Sequence, residues 1–178
     1  MTQLGIISFN GTPTALLPLR PLVPQRAMDA CQKLRGRAAG STNVAAAVRM
    51  AARMLGELSP QVQKHILVLT DGEIECVIDP LPNTLTWLAK AGIIYEQVDV
   101  DQNARCQHSL DSRGDHAIMI CVDASGSMGQ NSAIQIRRED CGRVAVEEII
   151  LRMAARTLPT CFKKGAIASD TTREPFQH

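Results

Sequence analysis

The chain is nearly without aromatic residues: Phe, Trp and Tyr make up 3% of its 178 positions. A core built without them must be filled by Ala, Val, Ile, Leu and Met. Charge of one sign is missing too. Nineteen Lys and Arg face eighteen Asp and Glu, for a net charge of +1. That balance gives no global field for nucleic acid or a membrane surface. No apolar run approaches the roughly 18 residues that cross a bilayer. The first residues, Met1-Thr-Gln-Leu-Gly-Ile-Ile-Ser-Phe9, show neither the basic start nor the long apolar stretch of a signal peptide. The six cysteines (31, 76, 106, 121, 141 and 161) form no Cys-x-x-Cys pair. The spacing therefore argues against a disulfide framework or zinc site and for reduced thiols in a cytoplasmic protein. With 45% apolar residues and a mean hydropathy of −0.03, the chain is expected to fold as one globular domain.

Punctuation and periodicity divide it. Leu4–Phe9 reads as a strand, Asn10-Gly11 as a two-residue hairpin turn, and Thr12–Leu19 as a return strand that Pro13 and Pro18 confine to a sheet edge. Pro24 opens a helix to about Leu34, with Ala27, Met28, Cys31 and Leu34 on one face. A second helix follows Ser41 or Thr42 as cap and runs to about Leu58. His65–Thr70 and Ile93–Asp99 read as strands around a short helix ending at Gly92, in which Trp87 is expected to pack against the sheet. Residues 101–116 are polar and irregular, a linker. Ala117–Val122 is a buried strand, and a helix over roughly 132–157 has Val146, Ile149, Ile150 and Met153 as its core face. Residues 159–178 form a weakly patterned tail. Alternating strands and helices predict an α/β protein with an open, doubly wound, mostly parallel sheet and one antiparallel edge strand.

The stretch richest in chemistry is Asp123-Ala-Ser125-Gly-Ser127, placed where the 117–122 strand hands over to a helix. Ligands of open α/β sheets bind at that level. One carboxylate and two hydroxyls at alternate positions suit a hard cation, Mg²⁺ or Mn²⁺. Thr42, in Gly40-Ser-Thr-Asn43, and Asp71, in Leu69-Thr-Asp-Gly72, lie upstream. Taken singly, each motif has an ordinary reading: a glycine-rich turn with a Ser cap, a helix N-cap, a turn.

Together these motifs resemble the von Willebrand factor A (vWA) domain and its metal-ion-dependent adhesion site. Gly5–Phe9 with Leu16–Leu19 is similar to that family's second and third strands, and Ala91–Tyr95 to its fifth. The resemblance covers residues 4–100 and 116–158 and implies a Rossmann-like vWA fold. It also implies that Ser125 and Ser127 ligate the cation, that Thr42 does so directly or through water, and that Asp123 and Asp71 supply negative charge. The order departs from the family, in which the Asp-x-Ser-x-Ser strand comes first. The chain thus resembles a circular permutant of one domain, 1–158, with 4–100 as the back portion and 117–158 as the front. A cut across tandem domains would give the same order, and Gly165–Asp170 echoes Gly5–Asn10. A domain-swapped dimer would assemble the same site.

The implied function is a metal-dependent protein-binding module whose partner supplies an Asp or Glu carboxylate, with no role for nucleic acid or membrane. The alternatives are a Mg²⁺-dependent phosphoryl-transfer enzyme or the same fold with an idle metal site. Against an enzyme, the loop lacks the second Asp of Asp-x-Asp phosphatases, Ser127 is not in Gly-x-Ser-x-Gly, and no P-loop is present. Glu73 and Glu75 read as solvated loop acids. Histidines 65, 108, 116 and 178 have no metal-ligand spacing, and Arg113-Gly-Asp115 reads as a chance match to an adhesion tripeptide.

Overall fold

The computed structural model describes residues 1–71, 81–100, 114–130 and 137–157. Expectations placed on Glu73, Glu75, His108, His178, Arg113, most of the linker and the 159–178 tail lie outside these residues. In chain order the strands are β1 (Thr2–Phe9), β2 (Thr14–Pro21), β3 (Gln63–Thr70), β4 (Ile93–Asp99) and β5 (His116–Asp123). The helices are α1 (Pro24–Gln32), α2 (Val44–Gly56), α3 (Leu81–Lys90) and α4 (Arg138–Thr157), with a 3-10 turn over Gly126–Gly129.

The sheet order is β2-β1-β5-β3-β4. The last strand of the described residues is therefore the middle strand in space. All eight residues of β5 are buried, which explains why its sequence is a continuous apolar run rather than an alternation. It lies parallel to β1, with Ile120 beside Ile6, and parallel to β3, with Ile120 beside Leu67. β4 continues the parallel set next to β3, and β2 closes the other side antiparallel to β1. The fold class read from the sequence is the one observed.

The two-residue period of the strands sorts their side chains into two apolar layers. Leu4, Ile6, Leu67, Leu69, Ile118, Ile120 and Val122 face α1 and α4, where Ala27, Cys31, Val146, Ile149 and Ile150 meet them. Ile7, Phe9, Ile66, Val68, Met119 and Cys121 face α2, against Val44, Val48, Ala51 and Leu55. Burying a side chain of Val, Leu or Ile size contributes about 1.5–3 kcal/mol, so the middle strand dominates the core. Phe9 is the only aromatic residue in the buried apolar set of the described residues. The thiols of Cys31 and Cys121 are free and buried, and Cys141 is buried as well. Burial pushes those of Cys31 and Cys121 up to about 12, so they stay protonated and pack as small apolar groups.

Several local expectations are corrected. Residues 10–13 separate β1 from β2, because the Asn10 side chain folds back on its own turn and its Oδ1 accepts the Thr12 N–H at 3.1 Å. That self-bonding makes a longer turn than the two-residue hairpin. The cap of α2 is neither Ser41 nor Thr42 but Asn43, whose side chain accepts the Ala46 N–H at 3.0 Å. Trp87 does not pack against the sheet. It is 48% exposed, since α3 buries Thr84 and Leu88 and the indole falls off that stripe. Of the adhesion-like tripeptide, Asp115 forms an ion pair with the amino group of Met1.

Gly5 marks the tightest point of the sheet. A Cβ there would lie 2.5 Å from Met119 Sδ and 3.3 Å from the Leu17 carbonyl oxygen. Gly5→Val is expected to destabilise the protein by about 1–3 kcal/mol, as overpacking does. Gly56→Ala, at a helix position with nothing within 4 Å, should be neutral or stabilising by up to about 1 kcal/mol. Chemical denaturation of the two variants checks the pair.

Candidate metal centre

The carboxyl end of β5 delivers Asp123 into the interior, 2% exposed. Both carboxylate oxygens are occupied. Oδ2 accepts the Thr70 hydroxyl at 2.7 Å, and Oδ1 accepts the Ser125 N–H at 2.8 Å. Burial pushes the Asp123 carboxyl above its ordinary value. The hydrogen bonds from Thr70 and Ser125 pull it back in part, and the nearby charge of Asp71 pushes it up again.

Beyond Asp123 the chain turns, and Ser125 and Ser127 place their hydroxyl oxygens 3.1 Å apart. Ser125 is buried and Ser127 partly exposed, so the pair spans the boundary between interior and solvent. The loop is fixed by backbone bonds from two sides. Ala124 N–H donates to Phe9 O at 2.6 Å. The 39–41 segment grips it from the other side: Ala39 N–H donates to Ala124 O and Gly126 N–H to Gly40 O, both at 2.9 Å. Gly40 is required there, since it takes φ +80°. Gly126 comes so close that a Cβ would lie 3.4 Å from the Gly40 carbonyl oxygen.

Thr42 follows this segment and is 5% exposed. With Asn43 serving as the cap, its hydroxyl is not used to start α2, and it forms no hydrogen bond among the described residues. Asp71 follows β3, beside β5, with its side chain fully covered and its Oδ2 3.3 Å from the Arg138 guanidinium. The structure therefore brings the loops of Asp123, Ser125, Ser127, Thr42 and Asp71 to one end of the sheet, although Thr42 and Asp123 stand 81 positions apart in the sequence.

The donor set can be tested against a cation. Two adjacent ligands of an octahedral Mg²⁺, each at about 2.1 Å, stand roughly 3.0 Å apart. The Ser125 and Ser127 oxygens have that spacing at 3.1 Å, which also suits a hydrogen bond between them. All the donors are hard oxygens, and the charge comes from carboxylates behind the hydroxyls. The residues fit a hard divalent cation. Among the described residues no three His, Cys, Asp or Glu side chains cluster as ligands, so a site here depends on hydroxyl oxygens.

Two residues of this constellation were not singled out from the sequence. Thr70 is a positioning residue: it orients Asp123. Its only signal was its place before Asp71 at the strand end. Arg138, at the start of α4, gave none, because its approach to Asp71 exists only in the folded chain.

A mostly parallel α/β sheet covered by helices on both faces, with hydroxyls and carboxylates gathered at its carboxyl end, is of Rossmann-like class. Residues 1–73 match the family model of the von Willebrand factor type A domain, less than half of the 178-residue chain. The matched span holds Thr42 and Asp71 but not the Asp123–Ser127 loop. No curated protein and no solved structure gives a significant match to the chain.

Asp123→Asn keeps both hydrogen bonds, since its amide can donate to Thr70 and accept from Ser125, and removes a buried charge. Its thermal midpoint in EDTA is expected to equal or exceed that of the parent. Asp123→Ala abandons two buried donors and should lose about 1–3 kcal/mol. Thermal unfolding of both variants in EDTA measures the contrast.

Proposed function

We propose that the chain is a metal-dependent protein-binding module, a vWA-type domain that binds Mg²⁺ or Mn²⁺ and, through it, a carboxylate of a partner protein. The observation that carries this reading is the pair of hydroxyl oxygens 3.1 Å apart in front of a buried, doubly hydrogen-bonded carboxylate. Ser125 and Ser127 would hold the cation directly, Thr42 directly or through water, and Asp123 and Asp71 would contribute charge from behind. When bound, the cation supplies an electrophilic position that an acidic side chain completes. The residues themselves do the rest. Thr70 and Ser125 lock the Asp123 carboxylate, and the Gly40–Gly126 contact holds the serines still.

The same reading includes a circularly permuted chain order. It is supported by the central place of the last strand in the sheet and by backbone bonds that join its loop to the 39–41 segment. It also includes closure of the site within one chain, with a domain-swapped dimer as the other way to unite the same loops. A cytoplasmic setting rests on the free, buried thiols. No helix among the described residues is long and apolar enough to cross a membrane. Against a phosphoryl-transfer role for Asp123 stands the absence of the second Asp of the Asp-x-Asp pattern, since Ser125 occupies that position.

Mg²⁺ or Mn²⁺ at a hundredfold excess over the dissociation constant is expected to add about 2.7 kcal/mol of stability to the parent relative to EDTA. Ser125→Ala should abolish that gain. A chain whose midpoint ignores both cations would count against the proposal, as would Mg²⁺-dependent hydrolysis of p-nitrophenyl phosphate that disappears in Asp123→Asn. Arg138 places a positive charge beside Asp71, in competition with a cation. Arg138→Gln should therefore tighten Mn²⁺ binding severalfold, an electrostatic gain on the order of 1 kcal/mol, measurable by calorimetry.

A further inference from the structure

Beside the candidate metal centre lies a second feature that the proposed function does not use. A polar cleft of about 140 Å³ opens at the carboxyl end of β1 and is walled by Ser8, Asn10, Thr12, Thr14, Arg37 and Ala124. Ala124 is the residue between Asp123 and Ser125, so the cleft and the cation loop share a wall. Ser8 and Thr14 are direct cross-strand partners in the β1–β2 pair, which puts their side chains on the same side of the ribbon. Ser8 is 5% exposed, yet its hydroxyl has no partner among the described residues. Arg37 likewise has no ion pair among them. The Asn10 side chain is spent on scaffolding, donating to Ala39 O at 3.1 Å and accepting from Thr12. The cleft thus offers hydroxyl donors and one guanidinium, and no acidic side chain is part of its lining.

A hydroxyl that opens onto a cleft can donate to an anion there, and a guanidinium presents a fork that matches a carboxylate. The volume is close to that of a cavity known to take a six-carbon ring, enough for an acidic side chain. A single guanidinium balances a single negative charge, which favours a carboxylate over a phosphate dianion. We propose that this cleft is a subsite for a second carboxylate of the partner, so that the recognised element is a closely spaced pair of acidic residues. One residue is directed at the cation and the other at Arg37, Ser8 and Thr14. The inference rests on the metal-dependent reading for the first carboxylate only. The Arg37 cleft acts without metal.

The test uses the isotopically labelled full chain and a synthetic peptide, acetylated and amidated, with two Glu residues separated by Gly. Versions with either Glu replaced by Gln serve as controls. Titrations followed by NMR are run in Mg²⁺ and in EDTA. In Mg²⁺ the diacidic peptide should bind at least fivefold more tightly than either control, and Arg37→Gln should erase that difference. In EDTA the diacidic peptide should still move the amide signals of Ser8, Thr12 and Thr14, more weakly, and fail to do so in Arg37→Gln. Arg37 is exposed, so this variant is expected to fold, and its thermal midpoint checks that. Mg²⁺-dependent binding that is indifferent to Arg37→Gln would overturn the subsite and leave the metal-dependent reading standing. Arg37-dependent shifts of equal size in Mg²⁺ and EDTA would support the subsite and count against the cation. No shift at these amides in either condition would overturn the subsite. A singly phosphorylated peptide that outcompetes the diacidic one at the cleft would overturn its assignment to carboxylate. A peptide with one Glu and a free C-terminus, binding as the diacidic one does, would assign the second carboxylate to a chain terminus.

Discussion

The architecture turns on a charged group placed where charge is costly: the Asp123 carboxylate at the end of a strand that is buried along its whole length. Isolated in the interior it would be strongly unfavourable. It is tolerated because β3 brings the Thr70 hydroxyl to one oxygen and the chain reversal brings the Ser125 amide to the other. The neighbouring Asp71 adds repulsion rather than relief. Two carboxylates, one buried and one covered, thus face a group of hydroxyls, with Arg138 as the near positive charge. The folded chain has thus already met the cost of gathering this negative charge at one end of the sheet.

Rigidity of the site follows from the sheet. A parallel sheet covered on both faces lets its strand ends project loops while its core fixes their origins. The β1, β5 and β3 ends lie side by side, and loops from β5 and from the α1–α2 connection are tied by backbone hydrogen bonds rather than by mobile side chains. The hydroxyls of Ser125 and Ser127 inherit that fixity. So does the polar cleft on the β1 side, whose wall at Ala124 is held by Phe9 and Ala39. The cation loop and the Arg37 cleft are two faces of one turn.

Much of this was legible from residue order because the physics involved is local. Continuous apolar runs identified the buried strands, 3.6-residue periodicity the helices, and Pro18 the edge position of β2. Errors arose where two local solutions competed. Asn10-Gly11 has the composition of a tight hairpin, but the Asn side chain bonded to its own turn. Ser41, Thr42 and Asn43 all can cap a helix, and the choice of Asn43 left Thr42 for another task. Trp87 was expected to pack α3 against the sheet, whereas its angular position on α3 leaves it outside.

The sequence by itself determined most of the elements, the α/β class and which hydroxyl and carboxylate residues stand at the strand ends, because each depends on side-chain type and on spacing of a few residues. Tertiary structure alone decided what those groups meet. That the final strand lies in the middle, that Thr70 pins Asp123, that Arg138 approaches Asp71 and that Ser8 and Arg37 share a cleft are contacts across 29 to 67 positions of chain. No local pattern encodes such contacts; they are set by the packing of the two helical layers onto one sheet.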